Sequence, residues 1–328
     1  MKGTLRLVTL VAVLGLVVTA CSAAASPTPA PTAAPTTAPT AAPTPAPSGA
    51  PTAAPTAAPT AAPTYDPNGL LGKVIAAGKI RISTDPNYKP FSYLDPDMQV
   101  YVGFDIATAE EVAKRLSAVV GKEIAIEWVT PDWSVITAGS WGGRWDISIG
   151  SMSVTVARAK VVDFVDPYFF DFGSVAVPKD SAVQSLSELN GGKTFCVGAA
   201  TTYEQWLTGT LEIVDPNMLP APTDPKLTSL KTDNECVQAV AAGRKYDAIA
   251  ANANVLADAE KSGQPVRVLA GPPTFTVSVA FALDKGGAPT ADMLTVLNKI
   301  VAEMHADGTL SAMSIKWLRG KDVTKPPQ

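Results

Sequence analysis

The sequence is poor in the side chains that build metal centres and nucleophilic sites. Its 328 residues include a single histidine, His305, and three cysteines. Zinc and similar metals are held by clusters of His and Cys, and such a cluster is missing here. We therefore expect neither a metal nor another cofactor.

An excess of positive charge is also missing. The chain has 26 basic and 30 acidic residues, for a net charge of −4. Lys2 and Arg6 belong to a segment that we expect to be removed, which leaves the mature chain at −6. Because phosphate backbones repel a chain of this charge, nucleic acid is not an expected partner.

Long hydrophobic runs are scarce, and the clearest one lies at the start. Residues 7–18 are apolar, follow two basic residues and are too few to span a bilayer comfortably. They predict a signal peptide over residues 1–20. Val18-Thr-Ala-Cys21 resembles a bacterial lipobox, in which the cysteine is acylated and becomes the mature N-terminus. We expect Cys21 to anchor the protein to the cell membrane; an ordinary signal peptide with an unrelated cysteine is the alternative.

Large apolar side chains are absent from residues 22–64, where Pro, Thr and Ala repeat. Such a tract cannot bury enough surface to offset its ordering entropy. Prolines at this density favour an extended conformation, and about 40 residues at about 3.1 Å each reach on the order of 100 Å. Residues 21–64 are therefore predicted to be an acylated cysteine with a disordered tether, and globular sequence starts near Tyr65.

Two cysteines remain once Cys21 is acylated. An exported chain meets an oxidising environment, which favours a disulfide between Cys196 and Cys236. The closed loop of about 40 residues would contribute roughly 3–4 kcal/mol. Two buried free thiols are the alternative.

The spacing of apolar residues changes along the globular part. Residues 79–83 alternate as a strand does, whereas residues 104–120 and 293–304 have apolar positions at helical spacing. Further short strand patterns lie between the helical ones. Strands that alternate with helices predict an α/β fold in which helices flank sheets.

Several short sequence blocks between residues 78 and 320 resemble one known family when taken in order. They are residues 82–93 (ISTDPNYKPFSY), 103–105 (GFD), 145–153 (WDISIGSMS), 158–160 (RAK), 162–168 (VDFVDPY), 192–197 (GKTFCV), 246–249 (YDAI), 307–310 (DGTL) and 316–318 (KWL). Their order is similar to that of the polar-amino-acid-binding family of periplasmic solute-binding proteins. Glutamine, histidine and lysine/arginine/ornithine binders of ABC importers belong to this family.

The resemblance implies a type II periplasmic-binding-protein-like fold with two α/β lobes. The first lobe would take residues 65–172 and 278–328, and the second would take residues 173–277. Two strand-like crossings would join the lobes. The ligand would bind in the cleft between them, and the lobes would close by a hinge motion.

The resemblance also implies where a ligand carboxylate binds. The family places an Arg five residues after a Ser or Thr, and here these are Arg158 and Ser153. A guanidinium is a fixed fork that can grip a carboxylate with two hydrogen bonds. Backbone N–H groups around Ser151 and Ser153 would complete the cradle. The alternative for Arg158 is a surface ion pair with Asp163 or Asp166.

The second lobe is expected to contribute the turn that contains Thr201 and Thr202. A helix that begins there would favour an anion, with the backbone N–H of Thr202 as the donor. Ala200 stands where the family usually has Gly, and a turn that needs positive φ would be strained there. The alternative is a plain helix cap by Thr201 or Thr202, and the same turn could both cap the helix and bind the ligand.

Three more positions match residues that line the family's pocket. Tyr88 and Trp133 would hold the aliphatic part of the ligand between aromatic faces, or else belong to the core. Asp85 would accept a hydrogen bond from the ligand side chain, or else order its own turn before Pro86.

Asn252 is the main departure from the family pattern. The family usually has an Asp there, which pairs with the α-ammonium group of the ligand. A hydrogen bond to an ionised group contributes roughly 1.5–3 kcal/mol, compared with about 1 kcal/mol for a neutral pair. Either Asp85 neutralises the ammonium group or the ligand is not a standard amino acid. If charge is what is missing, Asn252→Asp should improve binding of standard amino acids.

Together these features predict an extracytoplasmic, lipid-anchored and monomeric binding protein that delivers a polar amino acid or a derivative to an ABC permease. It is not expected to be an enzyme. One alternative is an enzyme on the same scaffold that dehydrates prephenate-like acids, for which Asp85 would be the candidate acid or base. The other is a surface sensory protein.

Overall fold

The computed structural model describes residues 64–326. The predicted signal peptide, Cys21 and the tether up to residue 63 lie outside this range. Within it, no helix combines the length and the apolar character that a membrane crossing requires.

Lobe 1 is the part of the chain built on a five-stranded sheet. The strand order is β5-β1-β6-β14-β7, and β1 is parallel to both β5 and β6. The strands are β1 (Lys79–Ser83), β5 (Ala125–Val129), β6 (Ile147–Ser148), β7 (Val162–Phe164) and β14 (Ala282–Asp284). A small antiparallel sheet of β2 (Asn87–Tyr88), β3 (Ser92–Leu94) and β4 (Tyr101–Val102) extends this lobe.

Helices cover the sheet of lobe 1. They are α1 (Leu70–Ala77), α2 (Phe104–Val120), α3 (Trp133–Thr137), α7 (Ala291–Ala306) and α8 (Thr309–Trp317). Helix α2 packs against both α7 and α8. Its buried face includes Ala109, Val112 and Leu116, and the buried face of α7 includes Leu297 and Ile300. The apolar residues that recur at helical spacing in the sequence are therefore the ones that these helices bury.

Lobe 2 is the part built on a second sheet, with strand order β10-β9-β11-β8-β12 and β13 paired to β8. The strands are β8 (Phe169–Pro178), β9 (Thr194–Gly198), β10 (Lys226–Leu230), β11 (Ala248–Asn252), β12 (Val266–Val268) and β13 (Thr276–Val279). The helices are α4 (Thr202–Thr208), α5 (Asp233–Ala241) and α6 (Ala253–Lys261). Short 3-10 helices occur at Arg158–Lys160 and Leu186–Leu189.

Two antiparallel strands connect the lobes. The first residues of β8 pair with β13, so that Phe169 lies opposite Val279 and Phe172 opposite Thr276. The later residues of β8 pair with β11 and β12 inside the sheet of lobe 2. The α/β class and the two-sheet architecture predicted from the sequence are confirmed.

The predicted disulfide is also present. Cys196 and Cys236 are bonded, with their Cα atoms 5.6 Å apart. The bond joins β9 to α5 within lobe 2, and both sulfur-bearing residues are fully buried. It therefore fixes two elements of one lobe without linking the lobes to each other.

Candidate functional site

The candidate site is a cavity of about 40 Å³, the space open to the centre of a water molecule, at the carboxyl ends of the parallel strands. This edge is where ligands bind in open α/β sheets. Eight of the nine residues predicted to bind the ligand line it: Asp85, Tyr88, Trp133, Ser151, Ser153, Arg158, Thr201 and Thr202. Their contact with a ligand stays a prediction.

Arg158 is the only Arg or Lys in the cavity wall that is buried, with an exposed fraction of 3%. Its Nη1 donates to the carbonyl oxygen of Ser153 at 3.1 Å, and its Nη2 donates to that of Ala200 in lobe 2 at 2.9 Å. Its Nε has no partner among the described residues. Burial lowers the pKa of Arg158 to about 10, so the side chain is still positive at neutral pH. The alternative of a surface ion pair is wrong, because Arg158 is buried and pairs with neither Asp163 nor Asp166 among the described residues; Asp163 bonds Lys285 and Thr290 instead.

Ser151 is held by a buried carboxylate of lobe 1. Its Oγ donates to Asp105 at 2.7 Å, and its backbone N–H donates to the hydroxyl of Tyr168 at 3.2 Å. The same hydroxyl donates to Asp105 at 2.7 Å. Burial raises the pKa of Asp105 to about 6. The backbone N–H of Ser151 is thus already used inside lobe 1, whereas the neighbouring Ser153 pairs with Val279 of the hinge strand β13.

The lobe 2 turn has the strained geometry that its sequence suggested. Ala200 has a φ of +59°, in the left-handed region that disfavours a side chain. Thr201 caps α4 by accepting from the backbone N–H of Glu204 at 3.2 Å, and Glu204 accepts from the N–H of Ala200 at 2.7 Å. These reciprocal bonds fix the turn, so Thr202 begins the helix at the cavity wall.

The aromatic residues lie against the charged ones. The guanidinium carbon of Arg158 is 5.2 Å from the ring centre of Trp133, and the indole Nε1 donates to the carbonyl oxygen of Ala200 at 3.2 Å. Tyr88 stacks on Phe91 with ring centres 5.5 Å apart. Asp85 accepts from the backbone N–H of Asn87 at 2.7 Å, so it orders its own turn and also faces the cavity.

Asn252 is the one predicted residue that the structure does not bring into the cavity wall. It is fully buried. Its Oδ1 caps α6 by accepting from the backbone N–H groups of Asn254 and Val255, and its Nδ2 donates to Asp171 at 2.6 Å. Both ends of the amide are therefore occupied by the protein.

Two carboxylates in the cavity wall were not predicted from the sequence. Asp171 lies on the hinge strand β8 and accepts from the hydroxyl of Tyr203 at 2.5 Å as well as from Asn252. Asp233 is the first residue of α5 and accepts from the backbone N–H of Gly198 at 3.2 Å. The sequence offered a signal for Asp171, because it is a single acidic residue within an apolar strand. It offered none for Asp233, because acidic residues are common at the start of helices.

The cavity wall therefore has three acidic side chains, those of Asp85, Asp171 and Asp233. Burial is the main cause that raises the pKa of Asp171, to about 6, and that of Asp233, to about 8; the charge of Asp171 adds to the effect on Asp233. Burial also raises the pKa of Asp85. Arg158 lowers the pKa of Asp171, but it does not offset the burial of both carboxylates.

The two lobes touch across the cleft. Asn87 of lobe 1 meets α5 of lobe 2: its side-chain oxygen accepts from Gln238 at 3.1 Å and its carbonyl oxygen accepts from Asn234 at 3.2 Å. Lys231 forms an exposed ion pair with Asp132 at 3.1 Å. The cavity walls from both lobes consequently face each other at short range.

The sequence matches the family model of bacterial extracellular solute-binding proteins, family 3, over residues 80–320. It is 30% identical to the L-cystine-binding protein TcyJ of Escherichia coli strain K12 over 259 residues, which cover 78% of this chain and 88% of that protein. It is 27% identical to the arginine-binding extracellular protein ArtP of Bacillus subtilis strain 168, over 74% of this chain and 87% of that protein.

A solved structure shows the same architecture. The ancestral amino acid-binding protein AncCDT-1, a precursor of cyclohexadienyl dehydratase, superposes with a TM-score of 0.63 at 30% identity. The match covers 76% of this chain and 99% of that one. The named relatives are binding proteins.

Proposed function

The chain belongs to the bacterial extracellular solute-binding proteins of family 3, and on this premise we propose that it captures an amino acid between its lobes for uptake by an ABC importer. The observation that carries the proposal is a buried guanidinium and a buried carboxylate in one cavity wall, Arg158 and Asp171. A zwitterion has one charge for each of them.

The carboxylate of the ligand would bind to Arg158. The guanidinium already donates to a neutral acceptor, the carbonyl oxygen of Ala200. A ligand carboxylate is a stronger acceptor, because charge-assisted hydrogen bonds are roughly twice as strong as neutral ones. Ser153 and Thr202 lie in the same wall and would complete the cradle from the two lobes.

The ammonium group of the ligand would bind to Asp171. Each of its carboxylate oxygens accepts one hydrogen bond from the protein, from Asn252 or from Tyr203, and each retains capacity for another. This carboxylate replaces the charge that Asn252 lacks, which makes Asp85 unnecessary for that purpose. Trp133 and Tyr88 would cover the aliphatic part between the two charged ends.

Binding would close the hinge because the contacts come from both lobes. Arg158 and Trp133 belong to lobe 1, and Thr202 belongs to lobe 2. A ligand that contacts both lobes binds the closed arrangement better and shifts the population towards it. The closed form would then dock on a membrane permease, and acylation of Cys21 would keep the protein at the membrane.

A thermal-shift screen of the purified protein against the standard amino acids, cystine, betaines and small carboxylates tests the proposal. A ligand at a hundred times its dissociation constant adds about 2.7 kcal/mol of stability, and the shift should disappear in Arg158→Ala. Arg144→Ala removes an exposed arginine of the same lobe and is the matched control. If no compound shifts a well-folded protein, or if the shift survives in Arg158→Ala, the proposal is wrong.

A dehydratase is the second candidate function. Burial raises the pKa of Asp233 to about 8, so this carboxyl group in the cavity wall can hold a proton near neutral pH, as a general acid must. Release of product from prephenate-like acids, monitored by absorbance, distinguishes this activity from simple binding.

A further inference from the structure

Asp233 is a buried carboxylate in the wall of the cavity. The residue is 1% exposed and lines the cavity. Its Oδ1 accepts from the N–H of Gly198, whereas its Oδ2 has no hydrogen-bond partner in the part of the chain that the structure describes. A buried polar atom without a partner costs about 1–3 kcal/mol, and more when it is charged. Such an atom in a cavity wall is suited to receive a donor from a ligand.

The neighbouring backbone is built to accept this side chain. A Cβ atom on Gly198 would lie 2.5 Å from Oδ1 of Asp233, closer than real Cβ contacts come, so a side chain at position 198 would require the carboxylate to shift. The disulfide between Cys196 and Cys236 joins the strand that ends at Gly198 to the helix that begins at Asp233. Asp233 is therefore held in place from both sides.

Charge balance in the cavity points the same way. A zwitterion with one carboxylate and one ammonium group would neutralise Arg158 and Asp171 and leave Asp85 and Asp233 without a cation. Lys231 also lines the cavity, but its ammonium group is bonded to Asp132 and its side chain is 70% exposed. A single zwitterion thus leaves no cation with which the ionised form of Asp233 could pair.

We infer that the ligand carries a second cationic group, an amine, a guanidinium or a second ammonium, and that Asp233 binds this group with Asp85 nearby. The inference rests on the proposed function and narrows its ligand class to amino acids with a cationic centre beyond the α-ammonium. Asp233 then selects among ligands by charge, whereas Arg158 and Asp171 recognise what all amino acids share.

Binding of such a cation requires Asp233 to lose its proton. The groups that face it are Asp171 and Asp85, whose charges raise its pKa, and the neutral hydroxyls of Tyr88 and Tyr203. Arg158 and Lys231 are the cations in the same wall. Because the carboxylate is largely protonated near neutral pH, uptake of the cation should release a proton and should tighten as the pH rises from 6.5 to 8.5.

Isothermal titration calorimetry with matched pairs tests the inference. Each pair differs in one charge: arginine and citrulline, lysine and norleucine, and ornithine and norvaline. In at least one pair the wild type should bind the cationic member at least about tenfold more tightly, and Asp233→Asn should reduce that ratio to about threefold or less. Titrations in two buffers of different ionisation enthalpy should show proton release for the wild type and not for Asp233→Asn.

Asp97→Asn, which removes an exposed acid of lobe 1, is the control variant. Asp85→Asn is the second variant, and it should lower the same ratio if Asp233→Asn does not fold. If the neutral members bind as tightly as the cationic ones and binding requires Arg158, the inference is wrong and the proposed function stands. If the broader screen yields only ligands without a second cationic group, the inference is again wrong and the proposed function stands; if neither the pairs nor the screen yield a ligand, both are wrong.

Discussion

The side-chain nitrogen of Asn252 donates to an oxygen of Asp171 at 2.6 Å, where the connecting strand β8 enters the sheet of lobe 2. The two residues lie on the adjacent strands β11 and β8. The amide of Asn252 therefore does not face the cavity. It holds the carboxylate of Asp171, which does. The negative charge expected at the end of β11 is present in the site, but it stands on the hinge strand.

This pair predicts that Asn252→Asp will be harmful. The substitution puts a second carboxylate against Asp171, and two such groups in a buried site cannot both be ionised. The second carboxylate should raise the folded-state pKa of the pair by about two units. Between pH 5 and pH 8, the free energy of unfolding of the variant should therefore fall by roughly 2–3 kcal/mol more than that of the wild type. Urea unfolding at both pH values measures this, and the affinity for amino acids should not improve.

Asn252→Ser is the control, since serine also caps a helix but carries no charge. Equal pH dependence in Asn252→Asp and the wild type would contradict the shared-site explanation. Tighter binding of standard amino acids by Asn252→Asp would instead support the simpler expectation that the ammonium group binds at position 252.

The raised pKa values predict an unusual pH dependence for the unliganded protein. The folded-state pKa of Asp171 is about 6, compared with 3.8 for an ordinary Asp, so the folded protein binds the proton more tightly than the unfolded chain. That stabilisation is fully present below pH 3.8 and is lost as the pH rises through 6. In the wild type, the free energy of unfolding should therefore fall by about 3 kcal/mol across this pH range, and Asp171→Asn should abolish that fall. Urea unfolding from pH 4 to pH 8 measures it.

Asp166→Asn changes an exposed acid on the same connection and should leave the slope unchanged. Asp171→Asn should also weaken amino acid binding by at least about tenfold, because it removes a charged hydrogen bond. A variant that keeps full affinity would show that the ammonium group does not bind there.

The strained turn predicts a stabilising substitution. Ala200 has a φ of +59°, and its carbonyl oxygen accepts from both Arg158 and Trp133. Ala200→Gly keeps these backbone contacts and relieves the left-handed strain, so we expect a gain of about 0.5–1 kcal/mol after the entropy of the unfolded glycine is included. Thermal unfolding measures the gain. Ala199→Gly, without a positive φ to relieve, should destabilise the protein; equal effects of the two substitutions would rule out strain as the cause.

The contacts of Asn87 with α5 predict slow release of the ligand. Asn87→Ala removes the acceptor for Gln238 and a weak donor to Thr232, all formed between the lobes. Two such hydrogen bonds contribute about 1–2 kcal/mol to the closed form, so ligand dissociation should become roughly tenfold faster while association changes little. Stopped-flow tryptophan fluorescence measures both rates. Asn68→Ala, at an exposed position of lobe 1, is the control, and an unchanged dissociation rate would show that these bonds do not hold the lobes together.

The disulfide predicts a large stability difference. Replacement of Cys196 and Cys236 by Ala opens a loop with a sequence separation of 40 and should cost about 4 kcal/mol. Denaturant unfolding measures the loss. Because the bond joins the elements that hold Gly198 and Asp233, the double variant should also lower the preference for cationic ligands more than it lowers binding in general. An unchanged preference would show that packing alone positions Asp233.

Local patterns were sufficient for much of the architecture. The apolar spacing over residues 104–120 predicted α2 with the bounds it has, and alternation over residues 79–83 predicted β1. Helix α5 begins at Asp233, directly after Thr232. Thr232 accepts from the backbone N–H of Glu235, and that Thr-x-x-Glu cap could have been read from the sequence.

By itself, the sequence determined the α/β class, the paired cysteines and the residues around Arg158, because periodicity and short ordered motifs are local properties of the chain. Only the tertiary structure decided which acidic side chains line the cavity. Asp171 and Asp233 meet there because strand register and helix placement bring distant segments together, and no local spacing encodes that. The same packing turned Asn252 towards Asp171 and away from the cavity, since a buried amide must satisfy both of its ends.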